Sequence, residues 1–596
     1  MTFRAITAKL TLRTALHVGT GKDTETADDL VRRDARGRLL IPGTAIAGAL
    51  RSIATRLAPR FDGAKPCQAL IGAQSNDACQ CLVCQLFGDV NPREDTNVAT
   101  AARVLVYDAV LDTSPAVLIR DGVGIDRVTG AAARRERIKF DYEVLPAGAT
   151  FKLRLEIDSR LANEEKTLPL LAAALAEWEQ GRGAVGGRVG RGLGAFDLTD
   201  VQWIERDLTQ TDVLIEFLRT GPPWDASDGD RDWLVSKVRR LIITSYTGDL
   251  PVARSWALAE FTLAATGPFL THDLTQAGRS GFDHAPVLAA YEKGAKPVLP
   301  GSSLRGVLRS QAERIARTLA TFAAWDGAQD AESRKTMFLI RCPACNPLTT
   351  KSDDPVASCN SFIKTLPKAE RDKFEREGDE ERLCLACRLF GSTWNGSRLR
   401  VEDASFVGEK VETKVLDFLA IDRFTGGGRD AAKFDAAVLW KPKFRVRLFL
   451  ENPQPWELGW LALVLRDLHD GLITVGFGAA KGFGQCQIED EKLTFGFLTD
   501  QDFPLPPDDS QDPTVQQAIA AGQRLLQGQG SVSGVFQTLA YDQAMAEDWM
   551  ALAEGWVRTF NKKVAGYRHA FGLKKDSYFD QVDGYWLSEL YPARVL

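Results

Sequence analysis

IPGTAIAGALRS, residues Ile41–Ser52, and LPGSSLRGVLRS, residues Leu299–Ser310, are the same phrase written twice. Three more phrases recur behind them in the same order. CLVCQLFG (Cys81–Gly88) answers to CLACRLFG (Cys384–Gly391), and GIDRVTGAA (Gly124–Ala132) answers to AIDRFTGGG (Ala420–Gly428). The glycine-rich GGRVGRGLGAF (Gly186–Phe196) answers to VGFGAAKGFGQC (Val475–Cys486). Four collinear matches identify an internal duplication, and the period is a whole domain rather than a short solenoid repeat.

Each copy opens on an alternating stretch, ITAKLTLRTALHVG and ALAEFTLAATGPFL, which reads as a half-buried strand. The Pro-Gly pair then leads into a helical pattern, AIAGALRSIATRLA in the first copy, with Thr or Ser as the expected hydroxyl N-cap. ARVLVYDAVL, TFKLRLEI and FRVRLFLE alternate again, whereas LPLLAAALAEWEQG and PWELGWLALVLRDLHDG have helical periodicity and end on glycine. The order is that of an elaborated ferredoxin-like or RRM-like unit, so the fold class is α+β with two tandem domains. Composition breaks set a first domain at residues 1–205, a linker with a helical signal (WLVSKVRRLIITSY) at 206–255, a second domain at 256–500 and a helical extension at 501–596.

With 44% hydrophobic and 26% charged residues the chain has a globular balance, and 596 residues exceed one core. No apolar run approaches the ~20 residues that cross a bilayer, and MTFRAITAKL lacks the continuous apolar run of a signal peptide. A cytoplasmic location is expected, without membrane contact. The net charge of −5 argues against a uniformly basic surface, but Arg127, Arg134, Arg135, Arg137 and Lys139 crowd one short stretch against Glu136 alone. A local basic arm binds phosphate even on an acidic chain.

In a reducing compartment, ten cysteines with close CxxC pairs point to metal rather than disulfides. Cys67, Cys79, Cys81 and Cys84 form one set; Cys342, Cys345, Cys384 and Cys387 form the other, with Cys359 able to replace one ligand. Four thiolates suit tetrahedral structural zinc, giving two Zn sites. Cys486 stands alone on a strand and reads as a core residue. The Pro-Gly helix starts are potential anion sites, with Thr44, Ser302 and Ser303 as hydroxyl donors and Arg51 and Arg309 about two turns along. Plain helix capping would account for them equally well. The glycine-rich stretches lack GK[ST] and lead into strands, which excludes a P-loop; they suit close approach of backbone to phosphate beside Arg188, Arg191 and Lys481, or simply tight turns.

Taken together, LHVGTG, IPGTAIAGALR, CxxCxLFG, IDRxTG and GRGLG resemble the RAMP superfamily of CRISPR-associated proteins, most of all the repeated backbone subunit of type III effector complexes. Two such domains in one chain resemble the fused subunits of type III-D-like complexes. The resemblance implies a guide-RNA-binding subunit that also meets complementary target RNA and other effector subunits. It implies that the IDRxTG segments are thumb hairpins, inserted between bases, with Arg127 and Arg423 at matching positions, and that Arg305 sits where the family carries a basic residue while the first copy has Ala47. It also implies an endoribonuclease. The family's aspartate aligns with Asp28 in TADDLVRRDARG, with Asp29 as a rival, and with Asp283 in GFDHAPVL. Asp34 begins an Asp-x-x-Gly turn, and His284 reads as a surface histidine or a general acid. The implied chemistry is attack by the target's 2′-hydroxyl with magnesium or manganese, leaving a cyclic phosphate. A non-cutting scaffold or capping subunit, and a histidine-based endonuclease that matures the guide precursor, are the alternatives.

Overall fold

Alternating segments pair edge to edge and apolar helical faces cover one side of the resulting sheets, once in each half of the chain. The computed structural model describes residues 2–21, 27–62, 79–89, 101–113, 115–127, 131–133, 139–248, 252–273, 277, 280–291, 294–348, 357–377, 380–508, 511–528 and 530–568. In the first copy β1 (Thr2–Leu12) leads to α1 (Gly43–Asp62), the short α2 (Leu82–Phe87) and β2 (Val104–Val106). The hairpin β3 (Leu118–Val123) and β4 (Lys139–Val144) forms a separate two-stranded sheet, and β5 (Thr150–Ile157), α3 (Glu164–Glu179) and β6 (Phe196–Asp207) complete the domain. Strand order is β2-β5-β1-β6, antiparallel throughout. Ile6, Ala8, Leu10 and Leu12, at every second position, enter the core while Lys9 and Thr11 do not.

The helix α3 is apolar nearly all round, Leu168 to Trp178, because it is covered on every side. It packs on the sheet, on α1 and on a linker helix. The linker holds α4 (Thr211–Thr220) and α5 (Trp233–Val238), with Trp233 stacked on Trp203 at 4.9 Å and 7°. The helix expected across WLVSKVRRLIITSY stops after Val238. Beyond it the backbone finds a partner other than its own turn: the Thr244 amide donates to the Arg60 carbonyl (2.7 Å) and Arg60 Nε donates to the Thr244 carbonyl (2.9 Å).

The second copy repeats the order: β7 (Ser255–Ala265), α6 (Gly301–Gly327), α7 (Leu385–Phe390), β8 (Leu399–Val401) and β9 (Ala404–Phe406), then the hairpin β10 (Thr413–Ile421) and β11 (Gly428–Trp440). β12 (Lys443–Glu451), α8 (Pro455–His469) and β13 (Cys486–Phe497) follow, and β12-β7-β13 match β5-β1-β6. Helices Ala331–Arg341, Cys359–Thr365 and Lys368–Glu377 are inserted ahead of α7. Gly181 and Gly471 end α3 and α8 at φ of 69° and 70°, in the left-handed region where glycine carries no Cβ penalty.

The described part of the tail, expected as a helical extension over 501–596, packs into the second domain as far as residue 568. After α9 (Pro513–Leu526), the hairpin β14 (Ser531–Ser533) and β15 (Phe536–Ala540) adds to the free edge of β13, and α10 (Ala546–Ala565) lies on α8 and α9. Trp549, Leu552, Trp556 and Phe560 enter the second core. Among the described residues no helix is long and apolar enough to cross a membrane.

Candidate nucleic-acid interface and metal centres

Backbone hydrogen bonds place Asp28 and Asp283 at the same point of the two copies. The Asp28 amide donates to the Asp141 carbonyl and the Asp141 amide donates to Asp28 Oδ2, both at 2.9 Å. The Asp283 amide donates to Asp435 Oδ1 (2.9 Å) and the Asp435 amide donates to Asp283 Oδ2 (3.0 Å). Both aspartates are exposed, each pinned to the returning strand of its hairpin. Asp141 and Asp435 escaped the sequence reading, although Lys-Phe-Asp recurs at 139–141 and 433–435. Directly across the hairpins stand Asp121 and Asp417. Like charges in register across strands are unfavourable, yet both copies keep this pair.

The next position separates the copies. Asp29 turns inward: its Oδ2 lies 3.0 Å from Nε2 of buried His17, whose Nδ1 is 2.7 Å from the Glu143 carbonyl, and its Oδ1 accepts the Gly21 amide. Asp29 is thus an anchor and Asp28 the solvent-facing carboxylate. His284 holds the equivalent place, bridging Ala436 as Asp29 bridges Tyr142. It is half-buried rather than a surface histidine, packed edge-on to His272 (4.6 Å) and against Phe477 (4.7 Å) and Phe434 (5.7 Å). Burial, then the neighbouring His284, lower the His272 pKa. Asp34 forms the expected turn, its carboxylate accepting the Arg36 and Arg38 amides.

The two Pro-Gly helix starts are capped from a distance rather than by Thr44 or Ser302. The Gly43 amide donates to Asp108 Oδ1 (2.7 Å) and the Gly301 amide to Asp403 Oδ1 (2.8 Å). A carboxylate therefore sits at each helix start, where its charge complements the dipole. In the second copy that start is also the seam between domains. Arg120 of the first hairpin donates to Asp403 Oδ2 (2.9 Å), and the Asp403 amide donates to the Gly192 carbonyl (3.1 Å). A Cβ on Gly192 (φ +105°) would lie 2.9 Å from the Gly301 Cα, so the glycine-rich loop of the first copy serves here as a close docking edge. The corresponding face of the first copy, with Thr44, Leu105, Tyr107 and Asp108, is exposed.

Several arginines expected at RNA are committed to protein partners. Arg127 Nε donates to Glu313 Oε2 of α6 (2.8 Å), and Arg309 Nε donates to Oε1 of the same buried carboxylate (2.7 Å). Burial acts to raise Glu313, but Arg127, Arg309 and Arg317 hold it below its ordinary range. Arg51 donates to the Phe87 and Gly88 carbonyls, and Arg305 to the Phe390 carbonyl. Burial first, then the neighbouring Arg309 and Arg191, push Arg305 down to about 9. Arg188 lies over the Tyr142 and Phe140 rings (4.1 and 4.8 Å) and Lys481 over Phe477 and Phe434 (5.2 and 5.6 Å). Ser302 and Ser303 are half-buried; Arg191, Lys139, Arg423 and Lys481 are exposed. Arg134 and Arg135 lie outside the described residues. At the second hairpin tip Phe424 is 99% exposed, with Val415, Leu419 and Ile421 also exposed along β10.

The cysteines form two clusters. Cys345, Cys359, Cys384 and Cys387 are buried with their sulfurs within 4.8 Å of one another. Cys342 is displaced from this set by Cys359, because its thiol turns to the Ala344 carbonyl (3.2 Å). Cys345 and Cys387 Sγ stand 3.6 Å apart; a tetrahedral ion with bonds of ~2.3 Å needs roughly 3.8 Å between sulfurs, so the pocket fits zinc. Amides of Cys384, Cys345 and Cys387 donate to ligand sulfurs at 3.3–3.4 Å. In the first copy Cys79, Cys81 and Cys84 converge, and Cys67 lies outside the described residues. Cys81 and Cys384 cap α2 and α7 in the same way, each sulfur accepting the amide three residues on. Cys486 is buried and separate from both.

This duplicated, cysteine-bearing architecture has a counterpart among known families. Residues 9–197 and 284–487 match the RAMP superfamily, and because those stretches cover more than half of the chain, it belongs to that superfamily. A stretch of 202 residues is 27% identical to the protein named CRISPR system Cms endoribonuclease Csm3 from Methanocaldococcus jannaschii, covering 32% of this chain and 77% of that relative. The chain is a RAMP-type CRISPR-associated protein.

Proposed function

We propose that the chain is a guide-RNA-binding backbone subunit of a type III, type III-D-like, CRISPR effector complex, and that each copy cuts complementary target RNA beside its hairpin. Each unit is read as ferredoxin-like, from the β2-β5-β1-β6 order and its repeat. One observation carries the cutting reading: an exposed aspartate clamped by the same amide at the foot of both hairpins. The printed name of the relative supports the class of activity.

The guide backbone is assigned to the cations of the glycine-rich loops, Arg188, Arg191 and Lys481, and of the hairpins, Lys139 and Arg423, with the hydroxyls of Thr44, Ser302 and Ser303 at the helix starts. The exposed apolar edge of the second hairpin suits insertion between bases. Asp28 and Asp283 accept the proton of the target 2′-hydroxyl, whose oxygen bonds to the adjacent phosphorus as the P–O5′ bond breaks; the departing 5′-oxygen takes a proton from water, leaving a 2′,3′-cyclic phosphate and a 5′-hydroxyl. The clamp fixes the carboxylate while strand distortion supplies in-line geometry. Exposed carboxylates suit a hard cation such as magnesium or manganese, which would lower the charge on phosphorus. The thiolate clusters suit structural zinc in a reducing cytoplasm.

The decisive experiment assembles the complex with D28N/D283N chains and sizes the target fragments. Cutting is expected to disappear while guide RNA stays bound. Unchanged fragments would leave the scaffold reading in its place.

A further inference from the structure

Arg51 and Arg309 were expected to reach RNA phosphate, and the structure gives both another partner. Each lies on the helix that follows its Pro-Gly turn, at the same position of the repeat. Arg51 Nη2 lies 3.4 Å from Cys84 Sγ and Arg309 Nη2 lies 3.6 Å from Cys387 Sγ, the same cysteine of the two CxxC pairs. The rest of each guanidinium spans what lies just beyond: the Phe87 and Gly88 carbonyls in the first copy, the Gly391 carbonyl and, through Nε, the Glu313 carboxylate in the second, where Arg127 and Arg317 share that carboxylate and leave the group net positive. The contact is thus built twice, independently, in surroundings that otherwise differ.

We infer that Arg51 and Arg309 are outer-shell residues of the two thiolate metal sites, which removes them from the RNA-contacting set. A divalent ion with four thiolates carries a net charge of −2, costly to bury without a compensating cation. In the second copy all four sulfurs are buried, and the buried Arg309 points a guanidinium nitrogen at one of them. Its hydrogen bond draws density from the Cys387 sulfur and offsets part of that charge, while the carbonyl contacts fix the short helix that bears the ligand. Outer-shell partners of this kind set metal affinity and ligand orientation. The inference rests on the reading of the cysteines as metal ligands and not on RNA binding.

The test uses the full-length chain with R51Q and R309K, loaded with zinc or with cobalt. Under chelator challenge, zinc leaves the altered site about tenfold faster than in the parent chain. In the cobalt form, the thiolate-to-metal charge-transfer band of that site moves to longer wavelength, since a sulfur stripped of its donor gives up electrons more readily. R309K, which keeps charge but not the fork, falls between parent and R51Q. If either variant melts earlier yet shows the parent's band and zinc release, the arginines only tie carbonyls and the inference fails. A parent chain that takes up neither metal overturns it together with the metal reading, leaving the RNA assignment untouched.

Discussion

The first copy holds Asp29 against a buried histidine where the second holds His284 among aromatic rings, yet the aspartate one place earlier is clamped in the same way in both. The same division runs through the whole repeat. Backbone devices are kept: the strand order, the carboxylate at the helix start, the sulfur-capped CxxC helix, the glycines of the loop. Side chains facing outward diverge. Both hairpins expose apolar residues at matching positions, Val123 and Ile125 in the first and Leu419 and Ile421 in the second, but only the first carries the basic run and only the second has Phe424. The shared part is therefore the part that fixes geometry, and the variable part is what faces solvent. The helix starts show a third kind of difference, one of place: Asp403 is buried beneath the first copy, whereas Asp108 is exposed.

Metal content gives the largest contrast. C359S should lose the ion of the second cluster, one equivalent per chain by elemental analysis, whereas C342S should retain it. Equal loss from both would restore Cys342 to the ligand set. At the seam, D403A leaves buried Arg120 without its carboxylate and uncaps α6, costing about 3–5 kcal/mol in denaturant unfolding. The equivalent D108A loses a cap and no buried charge, for about 1 kcal/mol. Similar values would mean that the copies do not press on each other as described.

Glu313 supplies a pH signature. Its folded-state pKa is held below the ordinary glutamate value, so its stabilisation is full above about 4.5 and is lost as pH falls through the depressed value. E313Q should cost about 2 kcal/mol at pH 7, and the gap in melting temperature from the parent should narrow on acidification. A gap that widens as pH falls would reverse the sign. The smallest effect on stability belongs to F424A, within about 0.5 kcal/mol because the ring touches solvent, while target RNA affinity in the assembled complex should fall. Loss of stability without loss of affinity would remove Phe424 from the RNA surface.

Much of this was legible in residues 1–500. Period-2 alternation, glycine stops and four repeated phrases have local causes, so strands, helices and the duplication could be read directly. Asp28 and Asp283 were reachable through the repeated loop. The caps were not, because Asp108 and Asp403 lie in breaks between short strands 65 and 102 positions away from the glycines they serve. Nor were the fates of Arg51, Arg305 and Arg309, helix residues whose partners are carbonyls 36 to 85 positions away in the same copy, or of Arg127, whose partner Glu313 lies in the other copy. Cys342 and Cys359 could not be separated by spacing, since the inserted helices decide which thiol reaches the cluster. The tail looked independent because a strand such as β15, which pairs with β13 on one side and β14 on the other, shows its distant partner only in three dimensions.

The central claim is that one chain presents two equivalent cutting sites on a duplicated frame. Mapping target cleavage at nucleotide resolution in complexes carrying D28N or D283N alone tests it most directly. Each substitution should abolish one cut, on the order of 10²-fold or more, and leave the other at the parent rate. Loss of both cuts from either single change, or of neither, would contradict it.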